Sequence, residues 1–474
     1  PWPRERVPFK LRVYPRLSLT NLAFRTAGDL TFQDRSREWR FDLEGISQGT
    51  ALGDLDGDGD LDVVLNNMNS AAALLRNDSA APRLAVRLEG RPPNTGGLGA
   101  RIRVSGGPVA QSQQIVAGGR FASCDEAMRV FAAGTPDQPL RLEVTWRSGA
   151  RTVIPDARPN RLYVVAEPGA GQASAASGWA EPGAVPESPA FEDVSARLRH
   201  RHHEEFFDDL ARQPSLPVRL SQLGPGVSWF DVDRDGWDDL VVASGRGGKL
   251  AVYRNTRDGG LTPWNSDLIA RPVTRDQTTV LGWTRPDGQV ELLAGSANYE
   301  DGLSVGATVR RYPIGGTAID DSLPGALSSV GPLALADYDG DGDLDLFVGG
   351  RAVPARYPEP ASSLLFRGRA GRFELDATNS AALASVGMVS GAVWSDLTGD
   401  GWPELALACD WGPIRVFLNE RGELRDVTAS WGLEGYRGWW NGIAAGDFDG
   451  DGRLDLVRSE ERRVGKGCRS RWSP

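Results

Sequence analysis

Five stretches of this chain align residue for residue: DLDGDGDLD (54–62), DVDRDGWDD (231–239), DYDGDGDLD (337–345), DLTGDGWPE (396–404) and DFDGDGRLD (447–455). Positions 1, 3, 5 and 9 carry oxygen side chains in all five, and position 6 is always Gly. Short apolar runs precede them (GTALG, GVSWF, LALA, GAVWS, GIAAG), and others follow or overlap position 9 (LDVVL, DLVVA, LDLFV, ELALA, LDLV). Such runs, bounded by turn residues, read as buried strands. The repeating unit is therefore strand, acidic loop, strand, and a recurring unit of this kind restricts the chain to a repeat architecture.

The spacing narrows it further. The last three loops begin at 337, 396 and 447, but 231 to 337 spans about two such intervals. A decayed copy, WTRPDGQVE (283–291), lies midway and keeps Asp287, Gly288 and Glu291 at positions 5, 6 and 9. The intervals become 52, 54, 59 and 51 residues. One four-stranded propeller blade is about this long. The expected fold is all-β: an incomplete β-propeller of about five blades over 190–458, plus a smaller β-rich domain. The 58 Gly and 31 Pro, against 3 Met and 3 His, agree with many short strands between turns.

Close anionic groups repel, so the loops need a counter-charge. Side chains at positions 1, 3 and 5 of a tight turn can converge on one point, with Gly at 6 permitting the reversal. Calcium takes six to eight oxygen ligands in flexible geometry. Position 7 has no common side chain, which predicts a backbone carbonyl ligand there, and position 2 (Leu, Val, Tyr, Leu, Phe) predicts inward packing. An EF-hand would need Glu at position 12 and flanking helices; Leu65, Val242, Val348, Leu407 and Arg458 stand there instead. The copy at 396–404 has Thr398 at position 3, hence one charge fewer, and is expected to be the weakest site.

The formal net charge is −10, and the five loops hold 22 of the 63 acidic residues. Without them the balance would be +12, so the acidity belongs to the loops. Such a chain lacks the basic surface of a nucleic-acid binder. No apolar run reaches the 18 residues of a membrane span. Cys124, Cys409 and Cys468 are far apart and imply neither a disulfide framework nor a zinc site.

These loops resemble the FG-GAP or VCBS repeats of integrin-α-type propellers. The likeness is strongest over 324–457, in GRAVPARYPEP (350–360), VGMVSGAVWSDLTGDGWPEL (386–405) and RGWWNGIAAGDFDGDGRLDLV (437–457). The resemblance implies calcium ligands at Asp54, Asp56, Asp58 and Asp62, and at Asp231, Asp233, Asp235 and Asp239. It implies the same for Asp337, Asp339, Asp341 and Asp345, for Asp396, Thr398, Asp400 and Glu404, and for Asp447, Asp449, Asp451 and Asp455. Residues 82–168 resemble the ASPIC/UnbV domain of bacterial relatives of cartilage acidic protein, through LAVRLEG (84–90), NTGGLGARIRV (94–104), GGRFAS (118–123) and VTWRSG (144–149). The usual HFGLG-like ending of the third block is VFAAG (130–134) here.

On this reading 1–80 is part of an earlier repeat array, its parent propeller cut away, with NLAFRTAGDLTFQDRS (21–36) as a hairpin. Residues 169–189 form a linker, 190–458 the propeller, and the basic 459–474 a non-native tail. The stretch HHEEFFDDLARQPSLPVRLSQLGPG (202–226) holds two of the three histidines. A linker docked on the first blade through Phe206, Phe207 and Leu210 is favoured there over a metal or catalytic cluster.

The motif GLSVG (302–306) matches a nucleophile elbow around Ser304, but no His follows it. The expectation is a non-catalytic, calcium-stabilised scaffold that binds an extracellular protein or glycan, with no nucleic acid partner and no membrane span in this stretch. Weak extracellular calcium modules bind at about 10⁻⁴–10⁻³ M, which points to an extracytoplasmic setting: secreted, periplasmic or cell-surface. The alternative is an extracytoplasmic polysaccharide-acting enzyme. It would be favoured by non-loop carboxylates such as Glu300 lying with His202 in one pocket.

Overall fold

The computed structural model describes residues 19–27, 31–170, 174–178 and 190–460. In each repeat the strand entering the acidic loop pairs antiparallel with the strand leaving it. Gly53 pairs with Asp62, Phe230 with Asp239, Ala336 with Asp345, Ser395 with Glu404, and Gly446 with Asp455. The acidic loop is thus the tip of a hairpin. The decayed copy is a tighter hairpin, in which Thr284 pairs with Val290.

Six blades follow in chain order. Blade 1 holds Ser47–Gly53, Asp62–Asn67, Ala73–Asn77 and Phe191–Asp193. Blade 2 holds Val227–Phe230, Asp239–Val242, Ala251–Asn255 and Leu261–Trp264, and blade 3 holds Gln277–Thr284, Val290–Ser296 and Val309–Pro313. Blade 4 is built from Ser329–Ala336, Asp345–Ala352, Leu364–Arg369 and Arg372–Leu375. Blade 5 follows with Met388–Ser395, Glu404–Pro413, Arg415–Asn419 and Leu424–Asp426; Arg437–Gly446 and Asp455–Glu460 are the described strands of blade 6. Innermost strands of successive blades lie against each other from blade 1 to blade 6. Apolar cores form where blades face. Ala51, Val64 and Leu74 of blade 1 pack with Val227, Trp229 and Leu240 of blade 2. Tyr338 and Phe347 of blade 4 pack with Trp394 and Leu405 of blade 5.

Blade 1 corrects the expected arrangement. Its fourth strand, Phe191–Asp193, comes from beyond the smaller domain and pairs with Ala73–Asn77. The first acidic loop therefore stands in the same array as the other four, not in a separate one. Three residues are too few to show periodicity, so the sequence hides this join. Strand Asp455–Glu460 also continues two residues past the boundary drawn at 458. In the stretch read as a linker, Ala175–Gly178 pairs with Arg161–Ala166 as an edge strand. The tail from 461 onward, with Cys468, lies outside the described residues. The expected hairpin in 21–36 forms between Phe24–Thr26 and Phe32–Asp34.

The inserted domain is a sandwich of two four-stranded sheets. Leu84, Val86 and Val165 from one sheet meet Ile102, Leu142 and Val144 from the other. That core runs on into Leu281, Trp283, Leu335 and Leu346 of blades 3 and 4.

Residues 117–126 leave the sandwich and enter the centre of the array. Ala117–Gly118 pairs with blade 4 and Ser123–Cys124 with blade 2. The Ala392 N–H of blade 5 donates to the Gly119 carbonyl at 2.7 Å, and the Glu126 N–H donates to the Leu52 carbonyl of blade 1 at 2.9 Å. One loop thus bonds the innermost strands of four blades. Its paired glycines are required for this. Gly118 and Gly119 have φ of +76° and +79°, and a Cβ would lie 2.2 Å from the Leu333 oxygen and 1.9 Å from the Ala392 oxygen.

Candidate metal centres

Each acidic loop is shaped by its own carboxylates. At position 1, Asp54 accepts from the Gly57 and Gly59 N–H groups, Asp396 from Gly399 and Gly401, and Asp447 from Gly450 and Gly452. At position 5, Asp58, Asp235, Asp341, Asp400 and Asp451 each accept from the N–H two residues on, at 2.7–3.0 Å. Position 9 reaches furthest. Asp62, Asp239 and Asp345 each accept from the position 2 N–H with one oxygen and from a third-strand N–H with the other. The third-strand donors are Asn77, Asn255 and Gly368. Position 9 is therefore a staple between loop and sheet, a role the spacing alone did not reveal. Position 2 packs inward as expected at Leu55, Val232 and Tyr338, whereas Phe448 of blade 6 is half-exposed.

The loops bring the implied ligands together in four of five cases. One oxygen each of Asp54, Asp56 and Asp58 lies within 4.8 Å of the other two. The same holds for Asp231, Asp233 and Asp239, for Asp337, Asp339 and Asp345, and for Asp447, Asp449 and Asp455. The loop at 396–404 forms no such carboxylate trio among the described residues, since Thr398 holds position 3. Asp62, Asp235, Asp341 and Asp451 stand in the same loops outside these trios.

Burial makes the position 9 carboxyls hard to ionise. It is the leading cause that pushes Asp345 up to about 9, Asp62 to about 8, Glu404 to about 7 and Asp239 to about 6. At Asp54, raised to about 7, burial is joined by Glu126, whose Oε2 accepts from the Asp54 N–H at 2.7 Å. Blade 3 shows the alternative solution. There the position 9 acid, Glu291, pairs with Arg311 at 2.7 Å and Arg285 at 3.2 Å. Among the described residues no basic side chain pairs with Asp62, Asp239, Asp345, Glu404 or Asp455, and Glu404 Oε1 is buried without a hydrogen-bond partner. Arginines meet positions 1, 3 and 5 instead: Arg147 lies 3.8 Å from Asp337, Arg76 3.9 Å from Asp56 and Arg367 3.5 Å from Asp339, while Arg254 pairs with Asp233, Arg257 with Asp235 at 2.8 Å and Arg83 with Asp58 at 3.1 Å. An all-oxygen, acid-rich donor set whose buried position 9 carboxyl has no base of its own fits a hard divalent cation such as calcium.

The inserted domain sits on this loop face. Arg83 donates to the Asp58 carbonyl at 3.0 Å, Arg87 to Gly236, and Arg101 to Gly452. Arg147 donates to both Asp337 and Gly401, each at 3.0 Å. Four arginines of one domain thus bond the backbone of all five acidic loops.

Other groups occupy the opposite end of the blades, where the innermost strands begin. Glu204, Asp276 and Glu300 meet there. Segment 202–226 docks through Phe207, Leu216, Val218 and Leu220 onto Tyr299 and Ala352 of blades 3 and 4. Phe206 and Leu210, expected to dock, are 65% and 44% exposed.

Sequence profiles agree with this anatomy. The FG-GAP-like repeat matches residues 231–281 and 396–457, and the ASPIC and UnbV profile matches 90–172. No curated protein matches the chain. Among solved structures, an Agrocybe aegerita lectin recognising non-reducing terminal N-acetylglucosamine is 14% identical, with a TM-score of 0.34 over 76% of this chain and 84% of that one. BBS1N in complex with ARL6DN is 10% identical, with a TM-score of 0.31 over 89% and 94%. Blade pattern, loop geometry and profile matches together make this chain a β-propeller protein of FG-GAP-like repeats that carries an ASPIC and UnbV domain.

Proposed function

We propose that this protein is a non-catalytic, calcium-stabilised binding scaffold that works outside the cytoplasm and recognises a protein or a glycan. The observation that carries the calcium part is the buried position 9 carboxylate, which has arginine partners in the decayed loop and none in the five intact ones. Calcium would be held by positions 1, 3, 5 and 9 and would supply the missing positive charge. At millimolar calcium, sites of the extracellular class each contribute on the order of 1 kcal/mol. Several such sites matter beside a stability of about 5–15 kcal/mol. The same weak affinity supports an extracytoplasmic location.

The inserted domain covers the loop face, and at the opposite end segment 202–226 packs on blades 3 and 4; among the described residues that end still exposes a surface. It carries an aromatic group: Trp411, 51% exposed, lies 5.3 Å between ring centroids from Trp439, and its indole N–H donates to the Tyr357 hydroxyl. Trp411 has φ of +58°, a costly conformation for a bulky residue. Exposed aromatic faces suit sugar rings or apolar side chains. The test is a glycan and secreted-protein binding screen, with calcium and with chelator. Trp411→Ala should abolish the hits and leave folding intact; hits unaffected by Trp411→Ala would move the contact surface elsewhere.

The enzyme alternative gains one observation, since His202 Nε2 lies 3.4 Å from Glu204 Oε2 and Glu204 meets Glu300. Those side chains are only 1–6% exposed, so a polysaccharide does not reach them as they stand. The burial favours a structural role over an acid–base pair.

A further inference from the structure

Three carboxylates from separate segments meet at the end of the propeller away from the acidic loops. Glu204 comes from segment 202–226, Asp276 from the residue before the innermost strand of blade 3, and Glu300 from the turn after its second strand. One oxygen of each lies within 4.8 Å of the other two. The Glu204 and Glu300 side chains are 3% and 6% exposed, and Asp276 is 3% exposed. Taking three carboxylates out of water without compensation is strongly unfavourable.

Their protein partners are incomplete. Glu204 Oε2 has only His202 Nε2 at 3.4 Å, Asp276 Oδ1 accepts from the Arg246 N–H at 2.8 Å, and Glu300 Oε2 faces an Arg246 guanidinium nitrogen at 3.0 Å. The second oxygen of each, Glu204 Oε1, Asp276 Oδ2 and Glu300 Oε1, is buried with no hydrogen-bond partner. Buried polar atoms are paired in native proteins with few exceptions, and an orphan invites an ion or water.

The charge does not close either. Arg246 also pairs with Glu205 at 3.0 Å, so its guanidinium is shared by two carboxylates, and among the described residues no arginine or lysine pairs with Glu204 or Asp276. These groups share either protons or a cation. Asp209 is already satisfied by the Leu220 and Ser221 N–H groups and the Ser221 hydroxyl.

We propose that Glu204, Asp276 and Glu300 form a further divalent-cation site, of the hard, oxygen-preferring calcium type, tying segment 202–226 to blade 3. The donors are all oxygens, they converge from three segments, and three of those oxygens lack any other partner. This site shares no residue with the acidic loops and stands or falls independently of them.

The test is a count of bound calcium by equilibrium dialysis and elemental analysis. It compares wild type with Glu204→Gln, Asp276→Asn and the loop variant Asp339→Asn, with folding checked by circular dichroism. Both cluster variants should bind one ion fewer than wild type, and combining either with Asp339→Asn should remove two. Their calcium-induced rise in melting temperature should shrink, while in chelator the isosteric amides should melt at or above wild type. An unchanged ion count in both cluster variants would overturn the site and leave shared protons as the explanation. If Asp339→Asn leaves the count unchanged while Glu204→Gln lowers it, the loop reading fails and this one stands.

Discussion

Replacing Asp345 by Ala separates the two jobs of the position 9 carboxylate. Its Oδ2 accepts from the Tyr338 N–H at 2.9 Å and its Oδ1 from the Gly368 N–H at 2.8 Å, and the residue is 1% exposed. Alanine leaves both buried donors unmatched, at about 1–3 kcal/mol each, so the staple is worth about 2–6 kcal/mol. Relief of repulsion from Asp339 and Asp337 offsets part of that and favours the lower half. Asp341 is different. It accepts only from the Asp343 N–H, both residues lie toward solvent, and water can replace the bond, so Asp341→Ala should cost under about 0.5 kcal/mol in chelator. With calcium, each variant should also lose the on-the-order-of 1 kcal/mol increment of that site. Thermal unfolding in calcium and in chelator gives the contrast, and amide exchange at Gly368 and Tyr338 localises it. Equal losses for the two variants in chelator, or unchanged protection of both amides in Asp345→Ala, would refute the staple.

Other outcomes follow from the same geometry. Gly119→Ala drives a Cβ into the Ala392 carbonyl at positive φ, whereas Gly149→Ala, at φ of +82°, meets nothing within 4 Å; calorimetry should show the first lowering the melting temperature well beyond the second, and equal shifts would mean the central loop is not tightly seated. Asp376 is buried, which alone would raise its pKa, but hydrogen bonds from the Tyr338 hydroxyl, the Asn379 N–H and Arg367 outweigh this and hold it below the usual 3.8. Its stabilisation is therefore present above about 3.8 and lost as pH falls through its lower folded value. Wild type should lose more stability than Asp376→Asn on acidification below pH about 4, and parallel acid curves would count against this. Arg351 pairs with Asp410 at 2.6 Å, both buried, so Arg351→Ala should cost about 3–5 kcal/mol in urea unfolding, and a loss below about 1 would contradict it.

The sequence carried the blades because each loop bears its pattern in contiguous residues. Asp54 to Asp62 and their four counterparts could be aligned by eye, and even the decayed copy kept Gly288 and Glu291. What stayed hidden depends on distance along the chain. Phe191–Asp193 is too short to read as a strand until it pairs with Ala73–Asn77. The GGRFAS stretch was visible as a motif, but its seat among four blades needed the Leu333 and Ala392 carbonyls. Arg83, Arg87, Arg101 and Arg147 look like scattered surface charge until the sandwich is set on the loops. Glu204, Asp276 and Glu300 share no spacing, so nothing local linked them, although the HHEE signal marked one member.

Blade 1 has a consequence for the order in which the molecule can be made. A ribosome delivers Ser47–Asn77 first, then the whole sandwich, and only afterwards the strand that completes the first sheet. Until residue 193 emerges, that nascent sheet has an open edge at Ala73–Asn77, and unpaired edges invite wrong pairing. The sandwich and its central loop are complete by then, so blades 2 to 6 are laid down around an axle already in place. Premature termination between the sandwich and residue 193 would leave an unsealed edge beside a folded domain, the kind of intermediate that quality-control machinery recognises.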